Sequence, residues 1–227
     1  MVLEKYFGFA KLQDEFAVVE SLIEHLRIDE EELILLSAMI DCLCSDEMDK
    51  VEDYYSKIHK ICTDSSRIFE HTVDQIVQAE FCYQRQYDLL RLYQRVEGVS
   101  ELILAAAKRV KILAFIGGKL PVECKKGVAS LMKLLADEHA EFRLAFDLYQ
   151  NNKKKVLPSI HRVEEIEQEV DQVRAECLVI IYKMANEGKV KMGDLRAIEN
   201  VIEFIEETSD KVAEAAASLE WLLMDVK

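Results

Sequence analysis

Two pairs of carboxylates carry the clearest chemical signal in this sequence. Glu167 and Asp171 stand four residues apart beside an unbroken apolar seam, and Glu206 and Asp210 repeat that spacing beside a second seam. At about 100° per residue, an i, i+4 pair lies within roughly 40° of itself around a helix, so both members of each pair project to one side. On facing helices the two pairs would gather four oxygen donors. Crowded like charges repel, so such a set calls for bound cations, shared protons or splaying into water. The plainer alternative is a solvated acidic face, because the Glu-x-x-x-Asp spacing is frequent on helices.

Other reactive residue types form no comparable pattern. None of the histidines His25, His59, His71, His139 and His161 stands at HExxH spacing or beside a nucleophile motif. His139 reads as an ordinary, partly exposed histidine, and His161, six residues before Glu167, as a candidate outer-shell partner at most. The six cysteines lack paired CxxC spacing and follow no secretory signal, which predicts reduced cytosolic thiols. Cys42 and Cys44 face different ways on one helix and read as packing residues. Di-iron carboxylate bundles use Glu-x-x-His on two helices, and no copy occurs here. Lys153 to Lys155 read as a solubilising turn rather than a lipid site.

Composition sets the scaffold. Only 7 Gly and 2 Pro interrupt 227 residues that are 50% apolar and 32% charged, the balance of long amphipathic helices, so the fold class is all-α. A chain of this length can bury roughly 70–75% of its unfolded surface. The net charge of −14 argues against nucleic acid as a partner, because phosphate backbones are bound chiefly by Lys and Arg. No apolar run reaches the ~18 residues of a transmembrane segment; the stretch from Ile103 to Ile116 carries Lys108, Arg109 and Lys111. The expectation is a cytoplasmic protein that docks on others.

Periodicity predicts a first helix from about Glu4 to His25, with Phe9, Leu12, Phe16, Val19 and Ile23 as its seam. Asp29, with Glu30 to Glu32 behind it, resembles the cap and acidic first turn of a short second helix ending near Cys44. Ser45 or Asp46 can cap a third helix with a partly polar seam through Ser65 and Thr72. A further helix carries Leu89, Leu92, Val96, Val99, Ile103, Ala106, Val110 and Leu113. Gly117, Gly118 and Pro121 form the clearest break and divide the chain into residues 1–117 and 118–227. Beyond it come helices over about 122–150, 158–186 and 192–224, the last with the 3.5-residue seam of antiparallel bundles.

The halves resemble each other. "YQRVEGVSELILAAAKRVKIL" and "IEFIEETSDKVAEAAASLEWL" align without a gap, placing Glu97 opposite Glu206 and Glu101 opposite Asp210. On the preceding helix of each half, Cys62 and Ser66 fall opposite Glu167 and Asp171. The pattern is that of a duplicated helical hairpin.

"VEEIEQEVDQVRAE", followed some forty residues on by "VIEFIEETSDKVAEAA", resembles the paired acidic motif of the PhoU-like family, and within it the branch of Pit accessory proteins or phosphate transport regulators. The resemblance covers most of the chain. It implies two tandem three-helix bundles packed into one elongated bundle, with metal ions held by clustered carboxylates on the inner helices. Glu167, Asp171, Glu206 and Asp210 match that motif position by position, and Glu97 and Glu101 match its second copy in the first bundle. Cys62 and Ser66 depart from it, which leaves the first bundle without a full carboxylate set. The ion implied is iron, manganese, magnesium, calcium or zinc.

The resemblance further implies a regulatory, non-enzymatic protein, cytoplasmic or peripheral to the inner face of the membrane through its partner. That partner is a phosphate transporter of the Pit type or a signalling protein; self-association into a homo-oligomer is left open. Two other readings stand beside it. One is a metal-free helical interaction module; the other is a metal-dependent phosphoester hydrolase using a metal-bound water.

Overall fold

The computed structural model describes the backbone of residues 2–45 and 47–224, and the side chains of residues 16–45 and 47–223. Six long helices follow one another: α1 (Val2–Cys44), α2 (Met48–Gln78), α3 (Tyr83–Phe115), α4 (Val122–Asn151), α5 (Val156–Asn186) and α6 (Met192–Met224). A short 3-10 turn over Lys153–Lys155 joins α4 to α5, and no strand occurs among the described residues. Within each triplet, α1–α3 and α4–α6, successive helices run antiparallel and pack side by side. Helices α1–α3 form one three-helix bundle and α4–α6 a second, joined chiefly by α3 against α6 and by α1 against α4.

Several helix boundaries have a local cause. Gly117 and Gly188 adopt φ values of +69° and +70°, the left-handed conformation that ends a helix without a Cβ penalty. The following amides bond back into the helix: Gly118 N–H to Leu113 O, and Lys189 N–H to Met184 O, both within 3.0 Å. Pro158 lies inside the first turn of α5, where the backbone N–H it lacks has no intrahelical acceptor. Asp46, one of two candidate caps for α2, lies outside the described residues; the helix begins at Met48, beyond Ser45.

The largest departure from the sequence reading is α1. It runs unbroken for 43 residues, about 65 Å of helix, so no second helix starts at Asp29. Its buried line is Val18, Leu22, His25, Asp29, Glu32, Leu36, Met39 and Leu43. Of the seam proposed for it, Val19 is buried, Ile23 half-buried and Phe16 exposed; the side chains of Phe9 and Leu12 lie outside the described residues. Asp29 fails as a cap because its side chain is needed inside. The seams of α3 and α6 are buried as their periodicity predicts, and one continuous apolar core links all six helices.

Candidate functional site

The second bundle brings its four predicted carboxylates together. Glu167 and Asp171 leave the exposed side of α5, and Glu206 and Asp210 leave α6 beside them. The Asp171 and Glu206 carboxyls face each other closely enough to share a hydrogen bond when one is protonated. Burial pushes Glu206 up to about 7; Arg174 opposes the shift, while Asp210 and Asp171 add to it. Burial also raises Glu167 and Asp210, with Asp171 the next contributor in each case. Arg174 is the cation at this edge: it holds Glu203 at 2.6 Å, and its Nε lies 3.7 Å from Glu206 Oε1. Raised carboxylates that crowd one another are the electrostatic mark of a cation site or a proton-sharing site.

A fifth acid lies behind them, and the sequence reading missed it. Glu138 of α4 is completely buried and accepts a 2.5 Å hydrogen bond from Ser209 of α6 on Oε2, while its Oε1 has no hydrogen-bond partner. Burial pushes Glu138 up to about 9; the Ser209 bond opposes this, and Glu167 and Asp210 reinforce it.

The first bundle is built differently around the same helical positions. Glu97 is buried and accepts from Ser66 Oγ at 2.7 Å, so the hydroxyl in the place of a carboxylate serves as a neutral donor to its neighbour. Cys62 is buried, its thiol raised to about 11 by burial. Glu101 is exposed. The structure therefore places Glu97 and Glu101 on one helix without the acidic partners that α5 supplies in the second bundle. Gly98, between them, gives room to α6: a Cβ there would lie 3.2 Å from the Lys211 side chain.

Inward from Glu97 lies a polar interior with no counterpart among the sequence expectations. His25 Nε2 shares a 2.8 Å hydrogen bond with Ser65 Oγ and also lies 3.4 Å from Glu97 Oε2 and 3.7 Å from Asp29 Oδ1. Asp29 Oδ2 is 3.7 Å from Nε2 of His139, which is buried rather than partly exposed. Burial holds both histidines down to about 4 and raises Asp29 well above the usual carboxylate range. Burial, with Asp29 next, pushes Glu32 up to about 9. At neutral pH these groups are consequently uncharged, which is how a core tolerates them. His161 is exposed on α5.

A readable signal for these residues existed. Glu138 sits on the heptad line Cys124, Val128, Leu131, Leu135, Glu138, Phe142, Ala145, Tyr149, where a polar residue stands at a core position. The α1 line from Val18 to Leu43 matches it step for step, placing Glu32 opposite Glu138.

The donor chemistry of the second bundle fits a hard cation: carboxylate oxygens alone, with raised proton affinities and an unpartnered Glu138 oxygen behind. Glu167, Asp171, Glu206 and Asp210 are the residues that would hold it. Among the described residues, no three His, Cys, Asp or Glu side chains stand in a ready-made metal-holding arrangement.

Six antiparallel helices in two joined triplets define the fold as PhoU-like. The chain superimposes on a PhoU-like protein from Shewanella oneidensis MR-1 with a TM-score of 0.81, covering 92% of this chain and 100% of that one at 13% identity. A PhoU-like phosphate regulatory protein from the same organism gives 0.78 at 14% identity, with the same coverage. The phosphate transport system regulatory protein PhoU from Streptococcus pneumoniae gives 0.68 at 17% identity, covering 92% of this chain and 96% of that one. No protein-family model matches the sequence, and no curated protein does. No described helix is long and apolar enough to cross a membrane.

Proposed function

We propose that this protein is a PhoU-like regulator of inorganic phosphate transport, acting by binding a phosphate transporter of the Pit type or a signalling partner. The observation that carries the reading is the fold shared with PhoU-like proteins over 92% of the chain, with a carboxylate cluster built at the motif positions. In this reading the protein works in the cytoplasm, at the inner face of the membrane when its partner is there.

Glu167, Asp171, Glu206 and Asp210 would hold a hard cation, which when bound supplies positive charge that neutralises the four carboxylates and ties α5 to α6. Arg174 keeps Glu203 and Glu206 in place at the cluster's edge. Ser209 fixes Glu138 behind it.

A second reading, a metal-free interaction module, is favoured by one observation: no described triplet of ligand side chains is prearranged around an ion. The first test is phosphate uptake by cells lacking the gene, together with affinity capture of the tagged protein. Altered uptake and recovery of a phosphate permease support the regulator. Unchanged uptake with no permease recovered overturns it. Hydrolysis of phosphoesters by the metal-supplemented protein would instead favour the enzyme.

A further inference from the structure

A groove of about 420 Å3 lies between the start of α2 and the end of α3, with Met48, Val51, Ala114 and Phe115 as its apolar lining. Val51 is buried at its base, whereas Phe115 is 72% exposed and offers a large aromatic face to solvent. Every charged residue of the lining is an acid: Asp49, Glu52 and Asp53. These three stand at i, i+3 and i+4 on α2, so they share one side of its first two turns.

The cations nearby are already engaged. Lys50 holds Glu47 at 2.6 Å, Lys111 of α3 holds Glu52 Oε1 at 2.8 Å, and Lys125 of α4 donates to Cys44 O at 2.6 Å. Asp49 and Asp53 are left without an ion pair among the described residues, and Glu52 Oε2 is screened from solvent with no hydrogen-bond partner. The dipole of α2 favours Asp49 in its first turn, but it fades before Asp53. Lys111 shows what this lining accepts: its ammonium sits 2.8 Å from Glu52 Oε1, 4.1 Å from the centre of the Tyr55 ring and 5.6 Å from that of Phe115. A cation is thus held between a carboxylate and aromatic faces. Two unpaired carboxylates beside an exposed ring complement a segment that carries Lys or Arg around a large apolar side chain. Cytoplasmic loops of membrane proteins carry an excess of Lys and Arg, whereas anionic lipid would be repelled by the same acids.

We infer that the α2–α3 groove is the docking site for a basic, apolar peptide segment, a cytoplasmic loop of the membrane partner, which sets a large apolar side chain on Met48, Val51 and Phe115 and its cations at Asp49 and Asp53. The source of that segment rests on the transporter-binding reading; the preference of the groove for a basic apolar peptide does not. The carboxylate cluster of α5 and α6 takes no part in it.

Fluorescence anisotropy tests it, with the full chain and a labelled synthetic peptide of alternating Lys and Leu around one central Phe. The peptide should bind, added salt should weaken it, and a peptide with Glu in place of Lys should not bind. Asp49→Asn with Asp53→Asn should weaken binding roughly fivefold, and Phe115→Ala roughly tenfold. Asp74→Asn with Glu80→Gln, near the other end of α2, removes the same charge and should leave binding within about twofold. These side chains are exposed, and circular dichroism verifies that the variants fold. A Phe115→Trp substitution in a Trp221→Phe background should shift its emission to the blue when the peptide is added. The inference is overturned by no binding of the basic peptide, by equal binding of the acidic one, or by equal losses through the Asp49/Asp53 and Asp74/Glu80 variants. Flotation with phosphatidylglycerol vesicles in place of peptide binding would overturn it in favour of lipid. Peptide binding at the groove without capture of a permease upholds the groove and counts against the transporter reading. Equal capture of a permease by the natural chain and the Phe115→Ala variant overturns the groove and upholds that reading.

Discussion

Ser209 of α6 donates to the buried Glu138 of α4 at 2.5 Å, whereas Ser100, its counterpart in the duplicated half, sits beside Glu32 in a looser contact that opposes the rise in that acid's proton affinity. The two halves thus keep the same acid–hydroxyl pairing at the same heptad position but draw it tight in only one.

Ser209→Ala should therefore leave Glu138 with neither oxygen bonded and destabilise the fold by about 1–3 kcal/mol. Ser100→Ala should change stability far less. Urea unfolding of both variants measures the difference, and equal losses would contradict the asymmetry.

Stability should fall as pH rises from 6.5 to 9. Glu32 and Glu138 titrate at about 9 in the folded chain against an ordinary 4.5, so in this window the folded state binds more protons than the unfolded state. His25 and His139, held near 4 against an ordinary 6.5, act in the opposite direction, but only below about 6.5. Thermal melts in chelating buffer should show the decline, and Glu138→Gln should make it shallower by removing one of the contributing groups. A flat or rising profile would show that these acids ionise freely.

Gly127 faces Cys177 so closely that a Cβ would collide with its sulfur. Replacing a helical glycine by alanine ordinarily gains about 1 kcal/mol, whereas overpacking costs about 1–3 kcal/mol. Gly127→Ala should thus be net destabilising, and Cys177→Ala should rescue it in a double-mutant cycle. An additive result would mean that α4 and α5 have room to separate.

The ends of α3 to α6 and the seams of α3 and α6 were legible because apolar residues mark them at every core step and glycines stop the chain. The break assigned at Asp29 was not there, for a physical reason. A carboxylate followed by three more reads as a cap and first turn, and only tertiary burial beside His25 and His139 turns it into a core residue. Glu138 was hidden by the same assumption, that acids face water, although its heptad position beside Leu135 and Phe142 pointed inward. Glu167, Asp171, Glu206 and Asp210 were legible because the duplication and the seams give their side of each helix.

Elemental analysis tests the central claim most directly, on protein purified without chelator or affinity-tag metal and compared with a variant carrying Glu167→Ala, Asp171→Ala, Glu206→Ala and Asp210→Ala. The account predicts that the natural sequence retains a hard cation, that the variant does not, and that adding the ion raises the melting temperature of the first alone. A natural protein that takes up none of iron, manganese, magnesium, calcium or zinc, or a variant that retains the ion undiminished, would contradict it.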